Sequence, residues 1–160
     1  MTINSSYKII ADHLRSTVFL IADGVMPSNE GRGYVLRRIM RRAMMHIHKL
    51  NSKDLKMHKL VANFIKKMSK PYPYLLKTEE LVTETIRIEE ERFLKTLKNG
   101  LEILEKEVSE IIDKKNLSGK VAFKLYDTYG FPLDLTQAIL DEKNIKVNVD
   151  EFELEMEIQK

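Results

Sequence analysis

The chain has 160 residues, of which 43% are hydrophobic and 32% are charged, and its formal net charge is +3. This length and composition are typical of one globular domain with a single hydrophobic core. Because cysteine is absent, the sequence excludes a disulfide framework, a thiol nucleophile and a cysteine-ligated zinc site. It shows neither an apolar run of transmembrane length nor the pattern of a signal peptide. We therefore expect a cytoplasmic protein without a membrane partner.

The charge is divided unevenly along the chain. Residues 31–70 contain twelve Lys or Arg and one Asp or Glu, a local net charge of +11. Residues 1–30 carry a net charge of −1, and residues 71–160 carry −7. A basic segment attached to an acidic body favours binding of a polyanion on one side of the protein.

Apolar residues recur at helical spacing over residues 7–22, which predicts a first helix. Asp23 and Gly24 are predicted to end it. His13 lies beside the apolar stripe, but the sequence shows no partner for it, and we assign it no role.

A turn containing Pro27, Gly31 and Gly33 leads into a second helix that extends to Leu50. At about 100° per residue, its apolar side chains form a core face and its basic side chains form the opposite face. This arginine face comprises Arg37, Arg38, Arg41, Arg42, His48 and Lys49. In the turn, Asn29 can bond the backbone or a ligand. The unpaired N–H groups of a helix start and the nearby arginines predict an anionic partner such as a phosphate backbone.

Residues 51–70 keep a helical apolar pattern among lysines, which either contact phosphate or simply form a solvated face. Two prolines then predict a corner near residues 70–74. Residues 78–114 contain no proline and one glycine, Gly100. They predict one long acidic amphipathic helix, or two helices that meet near that glycine.

The acidic and histidine residues form no recognisable catalytic or metal site. The run Glu89-Glu90-Glu91 invites an acid–base interpretation, but such runs on amphipathic helices are ordinarily solvated faces, and we predict one here. His46 and His48 point in separate directions on a helix. The glycines form neither a Walker loop nor a dinucleotide fingerprint.

Three short helices are predicted to follow. Ser118 is expected to cap a helix that Gly130 ends, and Asp134 is expected to cap the next one. Asp150, in capping-box spacing with Glu153, is expected to cap the last. The predicted fold class is all-α, a multihelical bundle with a basic arginine-faced helix, a long acidic amphipathic helix and little or no sheet.

Four segments of the chain closely resemble alanyl-tRNA synthetase. They are 10–15 (Ile-Ala-Asp-His-Leu-Arg), 21–39 with its Pro-Ser-Asn-Glu-Gly-Arg-Gly loop, 89–93 (Glu-Glu-Glu-Arg-Phe) and 125–132 (Leu-Tyr-Asp-Thr-Tyr-Gly-Phe-Pro). They follow the family order, and the match covers essentially the whole chain. The resemblance implies that residues 1–160 form the helical middle domain that recognises tRNA in this class II ligase of protein biosynthesis.

The resemblance assigns two residues to the G·U wobble pair that identifies alanine tRNA. These are Asn29, whose amide can donate to a uracil carbonyl, and Asp127, whose carboxylate can accept from the guanine amine. The fold would have to bring both to one RNA stem. Arginines near and on the second helix would hold the RNA backbone without reading sequence. They are Arg32, Arg37, Arg38, Arg41 and Arg42.

In the family, ATP and Mg²⁺ bind to the catalytic domain and Zn²⁺ binds to the editing domain. The class II motifs have no counterpart in these residues, and neither do the editing and C-terminal domains. The resemblance therefore implies that this chain has no cofactor or catalytic residue of its own and does not form alanyl-adenylate alone. Its partners would be the acceptor stem of tRNA(Ala) and a separate catalytic domain or subunit.

Other roles for these residues remain open at this point. Asn29 could be an N-cap or turn residue, and Asp127 could pair with a lysine. Arg32, Arg37 and Arg41 could bond carboxylates of the catalytic domain instead of RNA. The chain as a whole could be a truncated remnant, a tRNA-binding factor that acts in trans, or a helical docking module. The surface of that module would be Leu81 to Ile112.

Overall fold

The computed structural model describes residues 3–52, 54–111 and 115–159, and seven α-helices dominate these residues. Helix accounts for 78% of the structure, beside two short parallel strands. The all-α prediction is therefore confirmed. The chain divides into two compact units, Met1–Arg92 and Phe93–Lys160. The single domain predicted over residues 1–160 stays a prediction.

The first unit is built from amphipathic helices. They are α1 (Ile3–Ala22), α2 (Gly31–Lys49), α3 (Val61–Met68) and the first part of α4 (Glu79–Glu110), with 3-10 turns at Met57–Leu60 and Pro73–Thr78. Each α-helix buries one apolar stripe. The core of the unit includes Val18, Ile21, Leu36, Met40, Val61, Ile65 and Ile86. The helical spacing that predicted α1 and α2 is thus the spacing that builds this core.

Helix α1 ends where the sequence predicts. Gly24 has a φ of +95°, a left-handed conformation that glycine adopts without a Cβ clash. Its N–H donates to the carbonyl of Ile21 at 2.9 Å, and the Val25 N–H donates to the carbonyl of Leu20 at 3.0 Å. These bonds provide donors for the carbonyl groups at the end of the helix and direct the chain into the loop over residues 23–30.

The helical pattern over residues 51–70 is only partly realised. Asn51 takes a left-handed φ of +52°, which ends helical backbone after α2. The first 3-10 turn follows, and α3 is confined to eight residues. The corner predicted near residues 70–74 coincides with the break between α3 and the second 3-10 turn.

Helix α4 runs without interruption through Gly100, so the alternative of two helices is wrong. The glycine faces a buried aromatic ring instead. A Cβ at Gly100 would lie 2.6 Å from Cε1 of Phe131, which is closer than two non-bonded carbon atoms approach each other. Gly100 therefore does not break the helix; its missing side chain leaves space for the ring of Phe131. Of the predicted span 78–114, residues 112–114 lie outside the described part of the chain.

The second unit contains the rest of α4 and three shorter helices. These are α5 (Gly119–Tyr129), α6 (Leu133–Asp141) and α7 (Val149–Ile158). The strands β1 (Asn116–Leu117) and β2 (Lys146–Val147) pair in parallel. The core of the unit includes Leu97, Leu104, Leu125, Phe131, Leu135, Leu140 and Phe152.

The three predicted helix caps have different outcomes. Ser118 caps α5, because its side chain accepts a hydrogen bond from the helix backbone. Asp134 does not cap α6. Pro132 occupies the N-cap, and Asp134 lies in the first turn, where its charge favours the positive end of the helix dipole. Asp150 does not cap α7 either, because Asn148 precedes it and accepts the capping hydrogen bond.

Candidate nucleic-acid interface

The loop over residues 23–30 has a shape that Gly33 makes possible. A Cβ at Gly33 would lie 2.1 Å from Oγ of Ser28 and 2.4 Å from the carbonyl oxygen of Met26. The loop therefore folds back onto the first turn of α2. Oγ of Ser28 also donates to the carbonyl of Glu30 at 2.9 Å. This packing defines the position of Asn29, which is exposed at the surface.

The side chain of Asn29 is held through its amide oxygen. Its Oδ1 accepts a hydrogen bond of 2.5 Å from Nη1 of Arg37, eight residues later on α2. Within the residues that the structure describes, its Nδ2 has no partner and keeps both donors available. The interpretation of Asn29 as an N-cap is wrong, because Glu30 occupies the N-cap of α2 without a capping side-chain bond.

Arg37 and Arg41 share one buried carboxylate, that of Glu89 on α4. Arg37 donates from Nε to Oε1 at 2.8 Å and from Nη2 to Oε2 at 3.3 Å. Arg41 donates to Oε1 from Nε at 3.0 Å and from Nη2 at 2.7 Å. Glu89 is 3% exposed and Arg41 is 9% exposed. Two cations and one anion leave the cluster with a net charge of +1.

The ionisation of this cluster follows from its surroundings. Burial opposes ionisation of Glu89, but the charges and hydrogen bonds of Arg41 and Arg37 outweigh it and lower the pKa of the carboxyl below its ordinary value. The pKa of Arg41 is also lowered, because burial and the neighbouring cations outweigh the attraction of Glu89. The guanidinium nevertheless stays protonated at neutral pH.

The predicted solvated face at Glu89-Glu90-Glu91 is wrong for its first two members. Glu90 is 2% exposed and accepts hydrogen bonds of 2.6 Å from the Met57 N–H and from Nδ1 of His58. Glu91 alone is exposed and pairs with Arg87.

The sequence contained a signal for the buried position of these carboxylates. The stripe of α4 that is buried on both sides of them includes Val82, Ile86, Phe93 and Leu97. Helical steps of three and four residues along that stripe pass through positions 89 and 90. Both glutamates therefore sit on the core face, where each requires hydrogen-bond partners.

The other arginines differ in exposure. Arg32 is exposed at the start of α2, beside a cavity of 280 Å³ lined in part by Asp23 and Met26. Arg38 is half-buried, with its guanidinium 5.8 Å from the ring centre of Tyr34. Arg42 is also half-buried. The predicted arginine face is thus wrong at Arg41, which points into the unit rather than to solvent.

Arg42 also influences the first helix. Its charge contributes to lowering the pKa of His13, after the larger effect of burial. Nε of Arg42 is buried without a hydrogen-bond partner among the described residues, whereas Nδ1 of His13 lies 3.4 Å from Oδ2 of Asp12. No function is assigned to His13, in keeping with the sequence.

Asp127 lies in the second unit, in the last turn of α5, and is exposed. Its Oδ1 accepts a hydrogen bond of 2.9 Å from Nε2 of Gln159. In the described ranges no lysine pairs with it, so that alternative is wrong there. Among the described residues no partner binds its second carboxylate oxygen, which is thus available as an acceptor. The sequence offered no signal for Gln159, because the two residues are 32 positions apart.

The end of α5 is fixed against α4. Oγ1 of Thr96 donates to the carbonyl of Tyr129 at 2.8 Å. Gly130 has a φ of +70° and reverses the chain, so that Phe131 packs edge-on against Phe93 with ring centres 5.9 Å apart. A carboxylate so close to a helix C-terminus is electrostatically unfavourable, because the dipole is negative there. Asp127 is therefore poorly explained by helix stability.

The two predicted readers, Asn29 and Asp127, belong to different compact units. The structure brings Asn29 together with Arg37, and Arg37 together with Arg41 through Glu89. It brings Asp127 together with Gln159. The assignment of Asn29 and Asp127 to one RNA stem stays a prediction, as does the assignment of the five arginines to the RNA backbone.

Across residues 3–52, 54–111 and 115–159, no group of three His, Asp or Glu side chains is placed to hold a metal ion. None of the helices in these ranges is long and apolar enough to cross a membrane.

Comparison with known proteins identifies the family. The model of the family described as "tRNA synthetases class II (A)" matches residues 1–160. The chain is 58% identical over 154 residues to the alanine–tRNA ligase of Cereibacter sphaeroides, which covers 96% of this chain and 17% of that protein. It is 56% identical over 157 residues to the alanine–tRNA ligase of Jannaschia sp., or 98% of this chain and 18% of that protein. The chain thus spans less than a fifth of the length of these relatives. It belongs to the class II (A) tRNA synthetase family.

Proposed function

We propose that this chain recognises the acceptor stem of alanine tRNA, as the recognition segment of an alanine–tRNA ligase that serves protein synthesis in the cytoplasm. The observation that carries the proposal is the exposed amide of Asn29, held by Arg37 at the start of a basic helix. The 58% identity to an alanine–tRNA ligase supports the choice of tRNA. Because the chain spans so little of its relatives, we assign it recognition and not the ATP-dependent chemistry.

The G·U pair matches the free atoms of the two proposed readers. Nδ2 of Asn29 would donate to a uracil carbonyl, and the free oxygen of Asp127 would accept from the exocyclic amine of guanine. Both base atoms are accessible in the wide minor groove of A-form RNA. An exposed carboxylate near phosphates is repelled unless a donor compensates it, which favours a base contact for Asp127.

The RNA backbone would be held by the arginines that solvent can reach. In this proposal Arg32, Arg38 and Arg42 contact phosphate, because they are exposed or half-buried. The proposal gives no phosphate contact to Arg41, because its guanidinium is bound to Glu89 beneath the surface. These contacts set affinity and register, whereas the two readers set selectivity.

The test is binding of the chain to two RNA hairpins that carry the acceptor-stem sequence of alanine tRNA, one with the G·U pair and one with G·C. Asn29→Ala and Asp127→Asn are each expected to lower the ratio of the two affinities by about tenfold, the usual value of one good base contact. Asn63→Ala and Asp141→Asn, which replace exposed residues of the same types, are the matched controls and should leave the ratio unchanged.

A salt series separates recognition from nonspecific attraction. Arg32→Gln should weaken binding to both hairpins alike and reduce the slope of log affinity against log salt by about 1. Equal binding of the unaltered chain to both hairpins would contradict the proposal. It would favour the alternatives of a truncated remnant or of a docking module, whose exposed apolar residues on α4 include Leu81 and Ile88.

A further inference from the structure

We propose that Arg37, anchored by Glu89, is a positioning residue that sets the orientation of the Asn29 amide and thereby the selectivity for the G·U pair. This inference rests on the proposed function. It assigns Arg37 a task other than holding the RNA backbone, and it assigns Glu89 a part in recognition although Glu89 is buried.

The guanidinium of Arg37 bridges two partners with different edges. Nε and Nη2 face the carboxylate of Glu89, and Nη1 faces Oδ1 of Asn29. A guanidinium is planar, and its five N–H donors have fixed directions. Once two donors are bound to Glu89, the direction of the third is determined. Arg37 therefore transmits the position of a buried carboxylate to a loop side chain.

The anchor itself is well fixed. Glu89 is 3% exposed, and its Oε1 also accepts from Nε and Nη2 of Arg41. Separating a buried ion pair leaves an unpaired charge in a medium of low dielectric constant, which is strongly unfavourable. The carboxylate is thus a rigid reference point on α4.

Arg37 selects one of the two orientations of the Asn29 side-chain amide, which differ by a flip that exchanges Oδ1 and Nδ2. With Oδ1 towards Arg37, the NH₂ group is directed away from the cation and can donate to a carbonyl. In the flipped orientation, NH₂ would oppose the N–H groups of Arg37, and Oδ1 would meet the uracil carbonyl, which is also an acceptor. Because Asn29 lies in a loop, no helical packing replaces this restraint.

Arg41 provides a matched control for this role. It lies one helical turn after Arg37 and donates to the same carboxylate, whereas the hydrogen bond that the described residues give to the Asn29 amide comes from Arg37. Removing Arg37 should reduce the fraction of molecules whose amide is correctly oriented, and selectivity should fall with that fraction. We expect Arg37→Gln to lower the G·U to G·C affinity ratio by about three- to tenfold. Arg41→Gln leaves the contact between Arg37 and Asn29 in place, so it should lower the ratio less than Arg37→Gln does, even where it lowers the thermal midpoint more.

Two further variants separate positioning from charge and from folding. Arg37→Lys keeps the charge that Arg37→Gln removes, but it replaces the planar guanidinium with a single ammonium group. Its overall affinity for RNA should therefore stay close to that of the unaltered chain, while its G·U to G·C affinity ratio should be low. Glu89→Gln removes the anchor and should also lower the ratio. In the Asn29→Ala background, Arg37→Gln should produce no further loss of selectivity. Circular dichroism and thermal midpoints of each variant show whether the helices are intact.

The outcomes distinguish the two proposals. If the unaltered chain has no preference for G·U, the proposed function fails and the positioning role fails with it. If the preference exists and Asn29→Ala abolishes it, but a folded Arg37→Gln or Arg37→Lys variant keeps it, only the positioning role is overturned. Equal loss of selectivity in Arg41→Gln would also overturn it, because the effect would then follow from the ion cluster and not from contact with Asn29.

Discussion

Arg41 on α2 and Glu89 on α4 are 48 positions apart in sequence, yet Nη2 of the arginine lies 2.7 Å from Oε1 of the glutamate. The contact is buried, and Arg37 makes a second contact with the same carboxylate. This cluster joins the basic helix to the long acidic helix of the first unit. It also links a residue of the core to Asn29 at the surface through a single guanidinium.

The first prediction concerns acid stability. The folded pKa of Glu89 lies below its ordinary value of 4.5, so the carboxylate stabilises the fold above that value, and its contribution is lost as the pH falls through the folded pKa. Glu89→Gln should lower the free energy of unfolding at pH 7 by about 3 kcal/mol. It should also weaken the dependence of stability on pH below 4.5. Thermal unfolding measured from pH 7 down through the acid range tests both effects.

Glu105→Gln is the control for this prediction, because Glu105 is an exposed glutamate of the same helix. Its unfolding curves should follow those of the unaltered chain at every pH. Parallel curves for Glu89→Gln and the unaltered chain would show that the cluster does not couple folding to protonation.

The second prediction concerns the 23–30 loop. Gly33→Ala would place a methyl group within 2.4 Å of the Met26 carbonyl oxygen, so the loop must move away from α2. We expect a loss of about 1–3 kcal/mol in the free energy of unfolding, together with a loss of G·U preference. Val35→Ala changes an exposed residue of the same helix and should have little effect on either measurement. A folded Gly33→Ala variant with full RNA preference would argue against the role of the loop shape.

The third prediction concerns Gly100. Replacement of a glycine within a helix by alanine ordinarily stabilises it by about 1 kcal/mol. Here the added Cβ would collide with the buried ring of Phe131, so we expect Gly100→Ala to lower the free energy of unfolding by about 1–3 kcal/mol. Asn99→Ala, at the neighbouring exposed position, should be neutral or stabilising. A raised thermal midpoint for Gly100→Ala would contradict the close packing of Phe131.

The fourth prediction concerns the contact between α5 and α7. Oε2 of Glu151 accepts hydrogen bonds from Oγ of Ser118 at 2.9 Å and from the Gly119 N–H at 2.6 Å. The carboxylate thus completes the cap of α5 from another helix. Loss of a cap costs about 1 kcal/mol, and we expect this loss from Glu151→Ala in denaturant unfolding. Glu153→Ala, an exposed position on the same helix, should cause less; equal losses would exclude the capping role.

Much of the local structure could be predicted from the sequence, because local structure depends on neighbours in the chain. Helical spacing of apolar residues located α1 and α2, and Gly24 and Gly130 marked helix ends since glycine tolerates left-handed backbone. Ser118 was recognisable as a cap for a similar reason. The motif around Asn29 also identified the family, because it depends on residue identity and order alone.

The burial and partners of the functional side chains were decided by tertiary structure. The pairing of Glu89 with two arginines, the support of Asp127 by Gln159 and the fit of Phe131 at Gly100 join residues more than 30 positions apart. Periodicity shows which face of a helix is apolar, but it does not show which charge on a second helix will meet that face. A buried ion pair or a ring against a glycine depends on the packing of whole helices, and so it is defined only once the chain has folded.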